Sequence, residues 1–173
     1  MNDSSKAKIL EYANSTDSAV STYFTPPEQS SPVPFNNIVT TSMTNFTQLF
    51  FNANSFNKPI SDWDTSKVTT MAGMFGITSA FNKPIGQWNT SNVTDMNSMF
   101  FNSTSFNENI GSWDTSKVTM IDYMFYNSTS FNQNLSGWNV ALTTARPSLT
   151  VTFFADGSPL ALPENSHKLP LFQ

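Results

Sequence analysis

The amino-acid sequence predicts an α/β repeat solenoid, and three observations carry that prediction. Four segments are near-copies: Phe56 to Trp63 reads FNKPISDW, Phe81 to Trp88 FNKPIGQW, Phe106 to Trp113 FNENIGSW and Phe131 to Trp138 FNQNLSGW. Each copy begins 25 residues after the one before it, without slippage. Within each unit the apolar spacing changes from an even, strand-like interval to the three-and-four interval of a helical face. A fixed period of this length marks units that bury their apolar faces only by stacking on one another. The expected molecule is a stack of coils with ladders of side chains, not a globule around one pocket.

Taken in order, residues 1–34 are rich in Ser, Thr and Pro, with Pro26, Pro27, Pro32 and Pro34 near their end. They read as a flexible or loosely docked arm, in which Lys8 to Ala13 can form a turn or two of helix. Residues 35–140 are assigned to the solenoid, with a degenerate first repeat at 35–55. There Met43, Phe46, Leu49 and Phe50 fall 25 residues ahead of Val68, Met71, Met74 and Phe75, while the Phe-Asn strand is missing, as in a capping repeat.

The second half of each full unit carries Val68, Met71, Met74 and Phe75, then Val93, Met96, Met99 and Phe100, then Val118, Ile121, Met124 and Phe125. That spacing is one face of a helical turn, preceded by N-capping types at Asp64, Asn89 and Asp114. In the first half, Phe56 and Ile60 share the inner face of an extended segment, which predicts a short strand near Asn57 or Ile60 to Ser61. Pro59 and Pro84 make it an unusual strand, because each removes a ladder donor. One short parallel strand plus one helical turn per 25-residue coil is a leucine-rich-repeat-like plan. After Trp138 the pattern breaks, with Arg146 and Thr150 at expected apolar positions. Val151 to Phe154 repeats the second-half motif after an insertion, so residues 141–173 read as a C-terminal capping segment and tail.

Composition narrows the function classes. A net charge of −4 and a sequence pI near 4.7 give no footprint for nucleic acid or an anionic membrane. Only 12% of residues are charged, and Asn, Ser and Thr supply most of the polarity. No cysteine is present, which excludes thiol chemistry and Cys/His zinc sites. The amino terminus shows no apolar stretch of a standard export signal, and no run is long enough for a transmembrane segment.

The string around each unit junction, W-[ND]-T-S-x-V-T-x-M-x-x-M-F-x-N-x-T-S-F-N, is strong over 56–140 and weak over 35–55. It resembles the BspA-type leucine-rich repeat of mycoplasma lipoproteins and of surface proteins of other bacteria and some protists. The resemblance implies the repeat fold and a cell-surface or extracellular setting with adhesion as the associated role. The chain lacks the visible signal peptide or lipobox cysteine of many members.

Few residues are equipped for catalysis. His167 stands alone in the Pro-rich tail and reads as solvated. Asp62, Asp64, Asp95, Glu108, Asp114 and Asp122 are scattered. Asn89 and Asn139 share the Asp64/Asp114 column, which capping accommodates and acid/base chemistry does not. No catalytic residue, metal site or cofactor is expected. The Met column reads as core filler and the column Trp63, Trp88, Trp113 and Trp138 as buried stacking, with an exposed sugar platform as the rival.

Two Asn columns occur, Asn57/Asn82/Asn107/Asn132 and Asn52/Asn102/Asn127, and stacked amides can serve turn backbone groups as internal ladders. The candidate ligand-binding stripe is the outward set Asn57, Lys58, Asn82, Lys83, Asn107, Glu108, Asn132 and Gln133. Among the Asn-x-Ser/Thr sequons, Asn89, Asn92 and Asn134 are the glycosylation candidates. The expected function is a non-enzymatic module recognising protein or glycan. Its rivals are a structural subunit of an extracellular or particle assembly, touching neighbouring subunits, and ice binding through Thr65/Thr90/Thr115 and Thr69/Thr94/Thr119.

Overall fold

A computed structural model describes Ile9, Tyr23–Phe24, Val33–Pro34, Phe35–Asn37 and residues 40–140 and 153–172. The expected helical turn at Lys8 to Ala13 and most of the arm lie outside these residues. Ile9 is fully buried in the apolar core. Strand β1 (Tyr23–Phe24) pairs antiparallel with β2 (Val33–Pro34), which leads into a 3-10 turn at Phe35–Asn37.

Between residues 41 and 138 the backbone makes hydrogen-bonded turns and isolated parallel bridges, with neither a helix nor a continuous strand. The bridges join Asn45 to Thr70, Thr70 to Asp95 and Asp95 to Met120, each one 25-residue step apart. The segment from Asn57 to Ser61, expected to be the strand, forms no bridge. Pro59, Pro84 and the lack of donors they impose fit that outcome.

The second half of the unit is also not helical, and the reason is conformational. Gln48, Gly73, Ser98, Tyr123 and Phe153 take left-handed φ, as do Asn52, Ile77, Asn102, Asn127 and Gly157 four residues later. A left-handed residue every fourth position breaks an α-helix and redirects alternate N–H groups. Thus Phe46, Gln48, Phe50 and Asn52 donate to Thr70, Ala72, Met74 and Gly76 of the following unit. Leu49, Phe51 and Ala53 instead donate three residues back within their own unit. Met71, Gly73, Phe75 and Ile77 repeat the arrangement toward Asp95, Asn97, Met99 and Phe101.

Each unit is therefore laid against the next by backbone bonds, and the side chains form columns. Phe50, Phe75, Phe100 and Phe125 stack on Phe56, Phe81, Phe106 and Phe131 at 4.0, 4.2, 3.9 and 3.9 Å. Along the column Phe75 to Phe100 and Phe100 to Phe125 are both 5.5 Å, with planes within 7° of parallel. The buried indoles follow, Trp88 to Trp113 at 6.5 Å and Trp113 to Trp138 at 6.0 Å. Trp63, Trp88, Trp113 and Trp138 donate their Nε1–H to the carbonyls of Phe35, Ile60, Ile85 and Ile110. Phe35 thus fills the Ile60 position one unit earlier, and the repeat reaches further back than its lost Phe-Asn pair suggests.

Hydroxyl columns serve further carbonyls. Thr78, Ser103 and Ser128 donate to Phe50, Phe75 and Phe100. Thr40, Thr65, Thr90 and Thr115 donate to the carbonyls of Asp64, Asn89, Asp114 and Asn139. Among the described residues no buried side-chain nitrogen or oxygen lacks a partner.

Residues 153–172 add a last layer. Phe125 and Asn127 donate to Phe154 and Asp156, and Leu135 donates to Lys168. Strand β3 (Asn139–Val140) pairs parallel with β4 (Leu171–Phe172). Phe153 and Gly157 take the two left-handed places, and the buried Ser158 departs from the hydroxyl column by donating to Ala155 within its own turn. Residues 141–152, which include the expected insertion, lie outside the described part.

Candidate functional site

The outward stripe has a definite geometry. Asn57, Asn82 and Asn107 are exposed, and Asn132 is half-buried. The Oδ1 of Asn57 accepts from the backbone N–H of Asn82 at 3.0 Å, Asn82 from Asn107 at 2.9 Å, and Asn107 from Asn132 at 3.0 Å. Lys168 Nζ donates to the last oxygen, Asn132 Oδ1, at 3.0 Å. The column is therefore a ladder and an exposed row at once. Among the described residues no protein group accepts from the Nδ2 of Asn57, Asn82 or Asn107.

Lys58, Lys83, Glu108 and Gln133 stand beside this row, each half-buried. Partial burial lowers the Lys58 ammonium below its ordinary value. Gln133 Nε2 donates to both the carbonyl and the Oδ1 of Asn107, tying two neighbouring rungs together.

The second Asn column is not a ladder. Asn52, Asn102 and Asn127 occupy the left-handed place, and Asn52 and Asn127 are exposed. Asparagine takes this conformation readily, whereas the β-branched Ile77 at φ 58° does not. The shared requirement of the column is conformational.

The glycosylation candidates Asn89, Asn92 and Asn134 are all exposed. Asn89 and Asn134 accept through Oδ1 from the N–H of Ser91 and Ser136. Asn92 uses its Nδ2, the atom a glycan would occupy, to donate to Ser66.

The carboxylates serve turns. The Ser66 hydroxyl, then the Ser66 N–H, holds the Asp64 carboxyl below its ordinary range, and Ser116 does the same for Asp114. Burial raises the Asp95 carboxyl, partly offset by the N–H of Asn97 that it accepts. His167 is exposed in the 3-10 helix Pro163–Lys168. Among the described residues no three of His, Cys, Asp or Glu are grouped to hold a metal ion.

Two rival surfaces change status. The four tryptophans are at most 4% exposed, so no sugar stacks on them. Thr65, Thr90 and Thr115 are at most 2% exposed, which removes that column from any lattice presented to solvent. Thr69, Thr94 and Thr119 lie nearer the surface and donate to Thr44, Thr69 and Thr94.

A further column is formed by Phe51, Gly76, Phe101 and Tyr126, in which Phe101 and Tyr126 are half-buried and Gly76 is buried beneath the Phe51 ring. Spacing alone does not separate Phe101 from the buried Phe100, and the signal lies only in its recurrence one residue after each core Phe. Phe51 is 37% exposed, and Phe101 stacks on Tyr126 at 5.5 Å with planes 9° apart. Beside it a groove of 370 Å³ is walled by Gln48 and Phe51 and by Asn97, Ser98 and Phe101, over Ala72 and Gly73.

Among the described residues no helix is long and apolar enough to cross a membrane. Comparison with curated proteins and with solved structures returned no match. The family described as Mycoplasma protein of unknown function, DUF285, matches residues 44–150, more than half of the sequence, and the chain belongs to that family.

Proposed function

We propose that this chain is a non-enzymatic recognition module, a leucine-rich-repeat-like solenoid offering an amide-rich face to a protein or glycan outside the cell. The observation that carries this reading is the Asn57–Asn82–Asn107–Asn132 ladder, exposed at its first three rungs. Each Oδ1 is held by the next rung, so the amides stand in register before any partner arrives and little side-chain entropy is lost on contact. Amides donate and accept, which suits peptide groups and sugar hydroxyls alike. The engagement of Asp64 and Asp114 in turns favours a structural over a catalytic use of these carboxylates. The extracellular setting rests on the likeness to BspA-type surface proteins.

Arrays of glycans and of matrix proteins test the reading, with the wild-type chain expected to bind a defined subset. Contacts spread along a regular face are individually weak. Asn107→Ala should therefore change affinity by less than about threefold, while the loss of one exposed acceptor lowers stability by about 1 kcal/mol or less. Combined replacement of Asn82, Asn107 and Asn132 should weaken binding at least tenfold. Silence of the folded protein on both arrays contradicts the reading.

A structural subunit is the second reading, favoured by the exposed apolar residues of the last layers. Tyr123 and Phe153 stack at 5.4 Å while 37% and 47% exposed, and Leu162 is 47% exposed. Concentration-dependent self-association in light scattering, abolished by Phe153→Ser, would support it.

A further inference from the structure

The column Phe51, Gly76, Phe101 and Tyr126 is an aromatic stack with one rung missing. Where two rungs are occupied in succession, as at Phe101 and Tyr126, the rings lie face to face at 5.5 Å. At Gly76 there is no ring, so the other face of Phe101 has no aromatic partner among the described residues. The same unit is stripped at its neighbouring outward positions. Ala72 stands where the adjacent units carry Thr47 and Asn97, and Gly73 where they carry Gln48 and Ser98.

The two glycines have different reasons. Gly73 lies at φ +61°, a place that Gln48 and Ser98 also take. Gly76 has no such φ, and a Cβ there would come within 2.8 Å of the Phe51 ring. Its smallness is what lets Phe51 lean across the unit and leaves the groove beside it. The absence of a side chain at Gly76 is a matter of space, not of backbone conformation.

The lining has a consistent chemistry. Thr47, Gln48, Asn97 and Ser98 are uncharged, and among the described residues no Asp, Glu, Lys, Arg or His lines the groove. A phosphate, a carboxylate or an amine would find no counter-charge there. Asn97 Oδ1 is engaged by the N–H of Asp122 at 2.8 Å, which fixes its amide. Gln48 and Ser98 side chains form no protein hydrogen bond among the described residues. The groove thus combines an open aromatic face with amide and hydroxyl groups ready to donate and accept.

We propose that this groove binds a single pyranose ring of a neutral glycan, seated between Phe51 and Phe101 over Ala72 and Gly73. The apolar face of a sugar ring suits the aromatic face, and its hydroxyls suit Gln48, Asn97 and Ser98. An aromatic side chain of a protein partner would use the ring face but would leave those polar groups unpaired. The proposal takes the glycan form of the recognition reading and is independent of the Asn ladder.

The test uses methyl glycosides of the common neutral hexoses and N-acetylhexosamines as probes, read by saturation-transfer NMR on the whole chain. At least one probe should receive saturation, with affinity reduced at least tenfold by Phe101→Ala. Gly76→Phe should abolish the signal by pushing the Phe51 ring, a wall of the groove, out of its place; Phe51 is exposed and can swing aside, so melting should be retained. Gln48→Ala, on the exposed rim, gives a milder loss and guards against misfolding of the other variants. The Asn82/Asn107 double alanine variant should leave the monosaccharide signal unchanged. No saturation of any probe by the folded protein overturns the sugar site, while binding on a matrix-protein array would leave the recognition reading standing. Saturation that survives Gly76→Phe and Phe101→Ala also overturns it, by placing the sugar elsewhere. A phenylalanine-bearing peptide that binds in a Gly76→Phe-sensitive way, where no glycoside does, overturns the sugar class in favour of a protein partner.

Discussion

Ile77 shows how one residue can violate the rule its column obeys. It sits at φ 58° where Asn52, Asn102 and Asn127 occupy the equivalent place, and a β-branched side chain there carries about 1–2 kcal/mol of strain. Ile77→Asn should raise stability by about 1 kcal/mol, seen as a higher urea midpoint with an unchanged m value. Asp95 is the second exception, a carboxylate pushed upward by burial in the bridged row of Asn45, Thr70 and Met120. A raised folded pKa means that ionised Asp95 lowers stability at neutral pH, a penalty that fades as pH falls through that pKa. Asp95→Asn keeps the acceptor for the N–H of Asn97, as Asn45 does for Thr47. The variant should be the more stable at pH 7, and the gain should shrink as pH falls through the raised pKa and level off in the ordinary carboxylate range. A gain that is identical at pH 7 and pH 3 would contradict this. Asp64 and Asp114 act in the opposite sense, since their lowered pKa values add stability above the ordinary carboxylate range that is lost at lower pH.

Within each 25-residue element, the columns could be read from spacing and the backbone could not. Val68, Met71, Met74 and Phe75 recur at intervals that fit one helical face, and all four are buried. The same intervals also fit a chain that turns through a left-handed residue every fourth position. Periodicity of apolar residues reports which side chains face inward, not how the backbone returns them there. The distinguishing signal was the outward pair of places filled by Gln48, Gly73 and Ser98 and by Asn52, Asn102 and Asn127, types that tolerate left-handed φ more readily than branched ones. The Asn57 column was legible as outward, but its role as a ladder needed the 2.9–3.0 Å contacts to the next backbone. The groove beside Phe101 was illegible because its floor is made by side chains that Ala72 and Gly73 lack and by the lean of Phe51 over Gly76. Packing energy should follow the columns. Phe100 is fully buried, 3.9 Å from Phe106 and 5.5 Å from both Phe75 and Phe125. Phe100→Ala should cost about 3–5 kcal/mol. A loss below about 1 kcal/mol in chemical denaturation would mean that the ring column does not carry the core.

Across the whole molecule, the units are tied in sequence by bonds between residues about one period apart, such as Thr69 to Thr44, Thr94 to Thr69 and Thr119 to Thr94. Stability in such an arrangement is a sum of unit terms and neighbour terms. We take 25 residues to be one interchangeable layer, on which both the Asn face and the groove depend. Deleting residues 76–100 joins Phe75 to Phe101 and returns every column to register, because position 101 is the equivalent of position 76. Deleting residues 76–88 removes about half a layer and breaks every column. Equilibrium urea unfolding of the two deletions, followed by tryptophan fluorescence, is the most direct measurement. The full-layer deletion should unfold cooperatively, with a lower midpoint and an m value reduced in proportion to the lost layer, while the half-layer deletion should show no cooperative transition. Loss of cooperative unfolding in the full-layer deletion, or its retention in the half-layer one, would contradict the claim.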